Sequence, residues 1–337
     1  MRHHARPIQV ALIGCGRIAQ SHLEVIQSLP DCRLSAVVDV RGEAAQAMAA
    51  RTGAAVYEDF RAVLDGPPPD AVVVCTPPAT HPDVATYFLK AGVHVLCEKP
   101  LAIDVGQALG MVDAASGGDA VLMMASKFRY VADIVTAKSI IESGLLGDVV
   151  LYENAFCART DMRNRWNSRR EVSGGGVLID NGCHSVDIAR YLLGPIAAVQ
   201  VQDGKNVQGL DVEDTVQMYF RTAGGVMGTV DLSWSIPKES DAYINVYGTA
   251  GMLSIGWRSS RFRQDEKVDW VTFGHGYRKH EAMARQMRNF LDVINGVDRP
   301  VITELDALES VRVIEAGYRS LAMNKWLDVE GALHAVA

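Results

Sequence analysis

Lys99, Asp180 and His184 are three side chains of this 337-residue chain whose types could together move a proton. Lys99 stands in Glu98-Lys99-Pro100, at the end of the apolar run 93–97, and supplies a cation. Asp180 and His184 follow the glycine-rich stretch Gly174-Gly175-Gly176 and are four residues apart, a spacing that places them on one face of a helix. A lysine, a carboxylate and an imidazole around one hydroxyl can withdraw its proton while a hydride leaves the same carbon. An imidazole, with an ordinary pKa of about 6.5, accepts that proton at neutral pH. A lysine stabilises negative charge building on the oxygen, or returns a proton in the reverse direction. The aspartate would orient the imidazole or hold a neighbouring hydroxyl. Lys99 and His184 are both candidates for the base. A hydride belongs to an organic cofactor, so this chemistry needs no metal.

The start of the chain provides the setting for such a cofactor. Residues 8–13 read as a short buried strand, followed by Gly14-Cys15-Gly16-Arg17-Ile18-Ala19 and a helix-like run through Ser28. This is G-x-G-x-x-A between strand and helix. Gly14 permits the tight turn, Gly16 lets the amides around Arg17 and Ile18 approach a pyrophosphate, and Ala19 lets helix and strand pack closely. Residues 34–38 form a second buried strand ending in Asp39, which can accept hydrogen bonds from an adenosine ribose. A carboxylate there repels a 2′-phosphate, so NAD is expected over NADP. Arg41 argues the other way, because it could grip a phosphate; alternatively it stacks on the adenine or points into water.

Composition excludes several other classes. Apolar residues are 48% and charged residues 22% of the chain, as in ordinary soluble globular proteins. A net charge of −7 and a pI near 5.7 give no support to a nucleic-acid partner. No apolar stretch approaches the roughly 20 residues that span a bilayer, and residues 1–7 lack the apolar middle of a secretion signal. His3 and His4 read as part of a polar tail rather than as metal ligands. Six cysteines show no C-x-x-C pair and no zinc spacing, which fits reduced thiols in a cytoplasmic protein. Cys183 adjoins His184 and so points elsewhere on its helix.

Through residue 125 the chain alternates strand and helix signals, with strands at 54–57, 71–76, 94–98 and 120–125 after the first two. Continuous apolar runs predict a doubly wound parallel sheet with helices on both faces, and ligands at the carboxyl ends of its strands. Gly14, Asp39, Thr76 and Lys99 all fall at such ends. Beyond residue 131 the pattern changes: a helix at 132–143, a strand at 149–157, a helix at 177–193 after the glycines, then strands at 197–202, 215–221, 226–235 and 243–247. Short turns between the later strands predict a mainly antiparallel open sheet with an apolar outer face. Helices at 281–294 and 304–322 end the chain. The expected division is an α/β Rossmann domain at 1–126 and an α/β substrate and oligomerisation domain at 127–337, whose last helix could pack back on the first domain.

These motifs resemble the family named for glucose–fructose oxidoreductase, inositol 2-dehydrogenase and the rhizopine catabolism protein. The resemblance runs from Val10 to about Trp326 and rests on four segments. They are Gly14-Cys15-Gly16-Arg17-Ile18, Cys75-Thr76-Pro77-Pro78-Ala79-Thr80-His81, Glu98-Lys99-Pro100-Leu101-Ala102, and the three glycines with Asp180, His184 and Asp187. It implies hydride transfer between a nicotinamide cofactor and a secondary hydroxyl or ketone of a sugar, amino sugar or cyclitol. By the same resemblance Lys99 contacts both the substrate hydroxyl and the nicotinamide ribose region, Asp180 and His184 complete the catalytic set, and Thr76, Pro77 and His81 pass beneath the cofactor. Glu98 joins the cofactor-binding group. The open sheet implies a homodimer or homotetramer.

Weaker candidates for substrate contact are Arg129 and Tyr130, Arg165 and Trp166 within a stretch holding five arginines between residues 159 and 170, and Tyr243. An interdomain ion pair is the competing reading for Arg129, and a solvated loop for Arg165. Three classes of function stay open. They are a dehydrogenase, a hydrolase or epimerase that oxidises its substrate transiently with tightly bound NAD, and a non-catalytic dinucleotide-binding regulator.

Overall fold

The computed structural model describes residues 6–331; His3 and His4 lie outside the described residues. The chain divides into two compact units. The first comprises residues up to Lys127 together with His280–Leu308, and the second Phe128–Lys279 together with residues from Glu309 onward. The expected boundary after residue 126 is therefore incomplete, because 280–308 belongs with the first unit. Arg288, on the helix Lys279–Ile294, secures that segment through an ion pair with Asp31 at the foot of the second strand.

The first unit is built on β1 (Ile8–Ile13), β2 (Cys32–Val38), β3 (Ala55–Tyr57), β4 (Ala71–Val74), β5 (His94–Glu98) and β6 (Leu122–Ala125). All neighbours are parallel, in the order 3-2-1-4-5-6. Val10 to Leu12, Ala71 to Val74 and Val95 to Cys97 are fully buried, which is why these strands read as continuous apolar runs. The strand order reverses between β1 and β4, and a sheet of this kind receives its ligand beyond the carboxyl ends at that point.

The second unit carries β7 (Val149–Cys157), β8 (Ile196–Asp203), β9 (Thr215–Thr222), β10 (Met227–Ser233), β11 (Ala242–Gly248), β12 (Gly251–Gly256), β13 (Ser260–Gln264), β14 (Val271–Gly274) and β15 (Leu327–Asp328). They form one sheet in the order 14-13-12-11-7-10-9-8-15. Only β7 and β10 pair in parallel. Val216, Met218 and Phe220 of β9 and Val230 and Leu232 of β10 point to the buried face. The other face is mixed. Leu151 and Met227, partners in register and 46% and 57% exposed, lie on it, beside polar pairs in which Gln217 donates to Asp231 at 2.8 Å, Tyr247 to Glu153 at 2.8 Å and Ser254 to Asn245 at 2.8 Å, with Lys238 paired to Asp231. No described helix is long and apolar enough to cross a membrane.

Candidate active site

In the first unit the glycine turn is fixed by what surrounds it. Gly14 has φ +95° and donates its N–H to the Val38 carbonyl at 2.7 Å. A Cβ there would lie 2.8 Å from the Cys75 carbonyl carbon, so both conformation and space require glycine. Gly16 differs: a Cβ would meet nothing within 4 Å, and the residue precedes the helix Arg17–Ser28. No side chain caps that helix and its first turn holds no acid, so its N–H dipoles face open space. Asp39 ties this turn to the end of β2. Its carboxylate accepts from the Cys15 N–H at 2.9 Å and from the Arg41 N–H at 2.9 Å. The Arg41 side chain is 71% exposed and leans on the same carboxylate at 3.4 Å. An uncapped helix N-terminus with room beside it, and a carboxylate at the next strand end, fit a dinucleotide: pyrophosphate at Gly16 and Arg17, ribose at Asp39.

Lys99 is half-buried directly after β5. Two buried histidines hold the segment around it. The His22 Nε2 lies 2.8 Å from Glu98 Oε1, and Glu98 Oε2 accepts the Lys99 N–H at 3.2 Å. Burial pushes the Glu98 carboxyl up, but the His22 hydrogen bond and charge, with Lys127 and Lys99, outweigh it and leave the pKa below the usual value. His81 lies between two carbonyls, Nδ1 2.9 Å from Pro100 O and Nε2 2.8 Å from Thr76 O. Burial depresses its pKa against those carbonyls and Glu98, and a neutral ring satisfies only one carbonyl at a time. With no exposed surface, the His81 ring fastens the Thr76 segment to the Lys99 segment. Thr76, also half-buried, receives the Thr80 hydroxyl at 2.8 Å, and Pro77 opens the short turn Pro78–Thr80.

In the second unit the three glycines mark close packing. A Cβ on Gly175 would run into the Tyr318 hydroxyl, and one on Gly176 into the Glu213 carbonyl. Glu213 Oε1 accepts from the Gly176 N–H at 2.9 Å, the Leu178 N–H at 3.1 Å and the Tyr318 hydroxyl at 2.8 Å. This buried carboxylate thereby serves as a remote N-cap for the helix Val177–Asp180. The single helix expected at 177–193 is broken: Asp180 ends one helix and, past Asn181, His184 lies in the first turn of Gly182–Leu193. Asp180 is half-buried and His184 is 7% exposed, its ring edge-on to Phe128 at 5.0 Å.

Several weaker candidates are buried. Arg129 and Asp187 are buried as an ion pair, with Nε and Nη2 at 2.9 and 2.7 Å from Oδ1. The pair lies within the second unit. Tyr130 and Tyr243, two further candidates, are 5% and 2% exposed. Arg165 is half-buried and caps the short turn Trp166–Ser168, whose Trp166 is exposed. His22, Glu213, Tyr318 and the rings Phe128, Phe156 and Trp257 escaped notice. Of these only His22 left a signal, as a titratable side chain on the apolar stripe of Ala19, Leu23 and Ile26. Among the described residues no cluster of His, Cys, Asp and Glu is placed to hold a metal, and all six cysteines are free thiols.

Residues 8–126 match the family model described as "Oxidoreductase family, NAD-binding Rossmann fold", and residues 134–254 match the GFO/IDH/MocA C-terminal domain. The chain belongs to the Gfo/Idh/MocA oxidoreductases. Among its relatives in that family is inositol 2-dehydrogenase of Rhizobium meliloti, 26% identical over 96% of this chain and 99% of that protein. A solved structure of GenD2 from gentamicin A biosynthesis, in complex with NAD, is 28% identical over 98% of both chains, with a TM-score of 0.86. Levoglucosan dehydrogenase in complex with NADH shares the fold at a TM-score of 0.89 and 22% identity, over 96% of this chain and 99% of that one. The Gfo/Idh/MocA chain thus pairs the family's nucleotide-binding fold with the second domain that accompanies it.

Proposed function

We propose that this Gfo/Idh/MocA oxidoreductase moves a hydride between NAD and a secondary hydroxyl or ketone of a sugar, amino sugar or cyclitol. The observation that carries the reading lies within the first unit: Lys99 ends β5 of the same parallel sheet whose glycine turn leaves an uncapped helix N-terminus. When bound, the nicotinamide supplies the hydride acceptor or donor. The chain's own residues do the rest. Gly16 and the amides that follow it take the pyrophosphate, and Asp39 takes the ribose, with the half-buried Thr76 and Pro77 at the neighbouring strand end. The Asp39 carboxylate stands beside the glycine turn, accepting from the Cys15 N–H, although Arg41 leans on it, and a carboxylate there favours NAD over NADP. Lys99 meets the substrate oxygen and stabilises its charge. His184 exchanges the proton, with Asp180 orienting the imidazole or a neighbouring hydroxyl. Arg165 and Trp166 close over polar groups of the substrate. The names of the relatives, inositol 2-dehydrogenase and levoglucosan dehydrogenase, support net oxidation over a transient-oxidation hydrolase or epimerase and over a non-catalytic regulator. The enzyme works in the cytoplasm as a homodimer or homotetramer, in keeping with its six free thiols.

The experiment is Lys99→Ala. Turnover should fall by at least about 100-fold, with a much smaller change in NAD affinity measured by fluorescence titration. A folded variant with near-normal turnover overturns the assignment.

A further inference from the structure

We propose that His22 is a positioning residue for Lys99: through the Glu98 carboxylate it fixes the backbone that presents the lysine. The inference rests on the reading of Lys99 as the group at the reacting oxygen. Every observation behind it lies within the first unit. His22 stands on the helix Arg17–Ser28, whose uncapped N-terminus suits a pyrophosphate, and is 1% exposed. That helix follows β1, Lys99 follows β5, and β4 lies between those two strands. One carboxylate spans the gap. Glu98 Oε1 lies 2.8 Å from His22 Nε2, and Glu98 Oε2 accepts the Lys99 N–H at 3.2 Å. An ionised carboxylate only accepts, so the ring nitrogen donates. On the other side of Lys99, the Pro100 carbonyl lies 2.9 Å from His81 Nδ1. The backbone at Lys99 is therefore held at both of its chain neighbours, from the cofactor helix by His22 and from the Thr76 segment by His81.

Stability alone does not call for this arrangement. His22 shares the buried stripe of its helix with Ala19, Leu23 and Ile26, where an apolar side chain is the ordinary choice. Exchanging a buried ionic pair for apolar packing often leaves a protein as stable or more so. What apolar packing cannot do is hold the Lys99 N–H, which needs a charged carboxylate in one orientation. Burial disfavours the charged form of Glu98, and foremost among the groups favouring it is the His22 hydrogen bond, followed by the His22 charge, Lys127 and Lys99. His22 thus fixes both the charge and the orientation of the carboxylate that takes the Lys99 N–H. A reacting group displaced by about 1 Å can lose about 100-fold in rate. Gly16 and Arg17, where the pyrophosphate is expected, lie more than a helical turn from His22. Loss of His22 should therefore fall on turnover and spare cofactor affinity.

The test compares wild type with His22→Leu and His22→Gln. Without substrate or cofactor, hydrogen exchange read by mass spectrometry of peptides spanning residues 96–103 reports the Lys99 N–H. It should exchange about tenfold faster in His22→Leu, with the core strand Ala71–Val74 unchanged. With NAD and whichever of myo-inositol, glucose and levoglucosan wild type oxidises fastest, His22→Leu should lower kcat about tenfold. NAD affinity by fluorescence titration should stay within about twofold. His22→Gln, whose amide N–H reaches the same carboxylate, should recover most of the exchange protection and of kcat. In a Lys99→Ala background, His22→Leu should cost no further turnover, since it acts through that lysine. Unchanged exchange or unchanged kcat in folded His22→Leu overturns the proposal. So does a loss that His22→Gln fails to recover, an equal loss in the Lys99→Ala background, or a fall in NAD affinity as large as the fall in kcat. If Lys99→Ala turns over normally, or wild type oxidises none of the three alcohols, the catalytic reading falls and takes this proposal with it. A slow Lys99→Ala beside a normal His22→Leu removes only the positioning role. Should His22→Leu yield no folded protein, His22→Asn, whose amide stops short of Glu98, takes its place with the same expected outcomes.

Discussion

At the scale of single residues, the types that survive scrutiny are those the backbone demands. Gly14 was legible because a positive φ and a carbonyl at 2.8 Å leave no alternative to glycine. Asp39 and Lys99 were legible because each ends a strand that reads clearly as apolar. Arg129 was not, because its partner Asp187 stands 58 residues away and nothing local reveals whether an arginine is buried. The role of the His81 ring was hidden for the same reason: burial between two carbonyls is a tertiary fact. The same scale yields a pH-dependent stability. The Glu98 carboxyl is held below the ordinary glutamate pKa of about 4.3, with burial opposing and His22 favouring the charged form. A depressed folded pKa contributes stability that is present above the unfolded value and lost as pH falls through the folded one. Glu98→Gln should therefore be less stable than wild type by about 1–3 kcal/mol at pH 7. The gap in denaturant midpoint should narrow steadily below about pH 4. A gap that stays constant down to pH 3 contradicts this account of the His22–Glu98 pair.

Among elements, two glycine-bearing turns look alike in sequence and do different things. The first leaves Gly16 beside open space at an uncapped helix; the second packs Gly175 and Gly176 against Tyr318 and Glu213. Gly16→Ala should leave the thermal midpoint within a few degrees of wild type, since the residue has an ordinary φ of −75° and no neighbour to strike, while weakening NAD binding. Gly175→Ala should instead cost about 1–3 kcal/mol of stability, because the Tyr318 hydroxyl must move and release Glu213. Equal melting temperatures for the two variants would show that the second turn is not packed as described. The helix break at Asn181 was illegible for a related reason. A carboxylate from Glu213, more than thirty residues further along the chain, decides where that helix begins.

For the whole molecule, the parallel sheet of the first unit followed from the alternation of apolar runs and helix signals, since each βαβ crossover is local in sequence. The nine-stranded sheet was seen only as mainly antiparallel. Its parallel β7–β10 pairing joins residues more than seventy positions apart, and β13 to β15 are short or lie at the edges. Its outer face carries hydrogen-bonded polar pairs beside the exposed Leu151 and Met227, so association through it would combine apolar contact with polar pairs and aromatic rims such as Tyr219 and Tyr247. The proposed homodimer or homotetramer should appear by light scattering at micromolar concentration, and its mass should fall as salt rises if polar pairs carry the contact; a monomer throughout removes it. The central claim is net oxidation of a carbinol by a nicotinamide enzyme, and its most direct test is the absorbance of reduced cofactor. Wild-type protein given inositols, aldoses and glycosides should convert added NAD to NADH in step with ketone formed, with a larger kcat/KM for NAD than for NADP. Substrate consumed with no net change in nicotinamide absorbance, the cofactor remaining bound, would contradict the account.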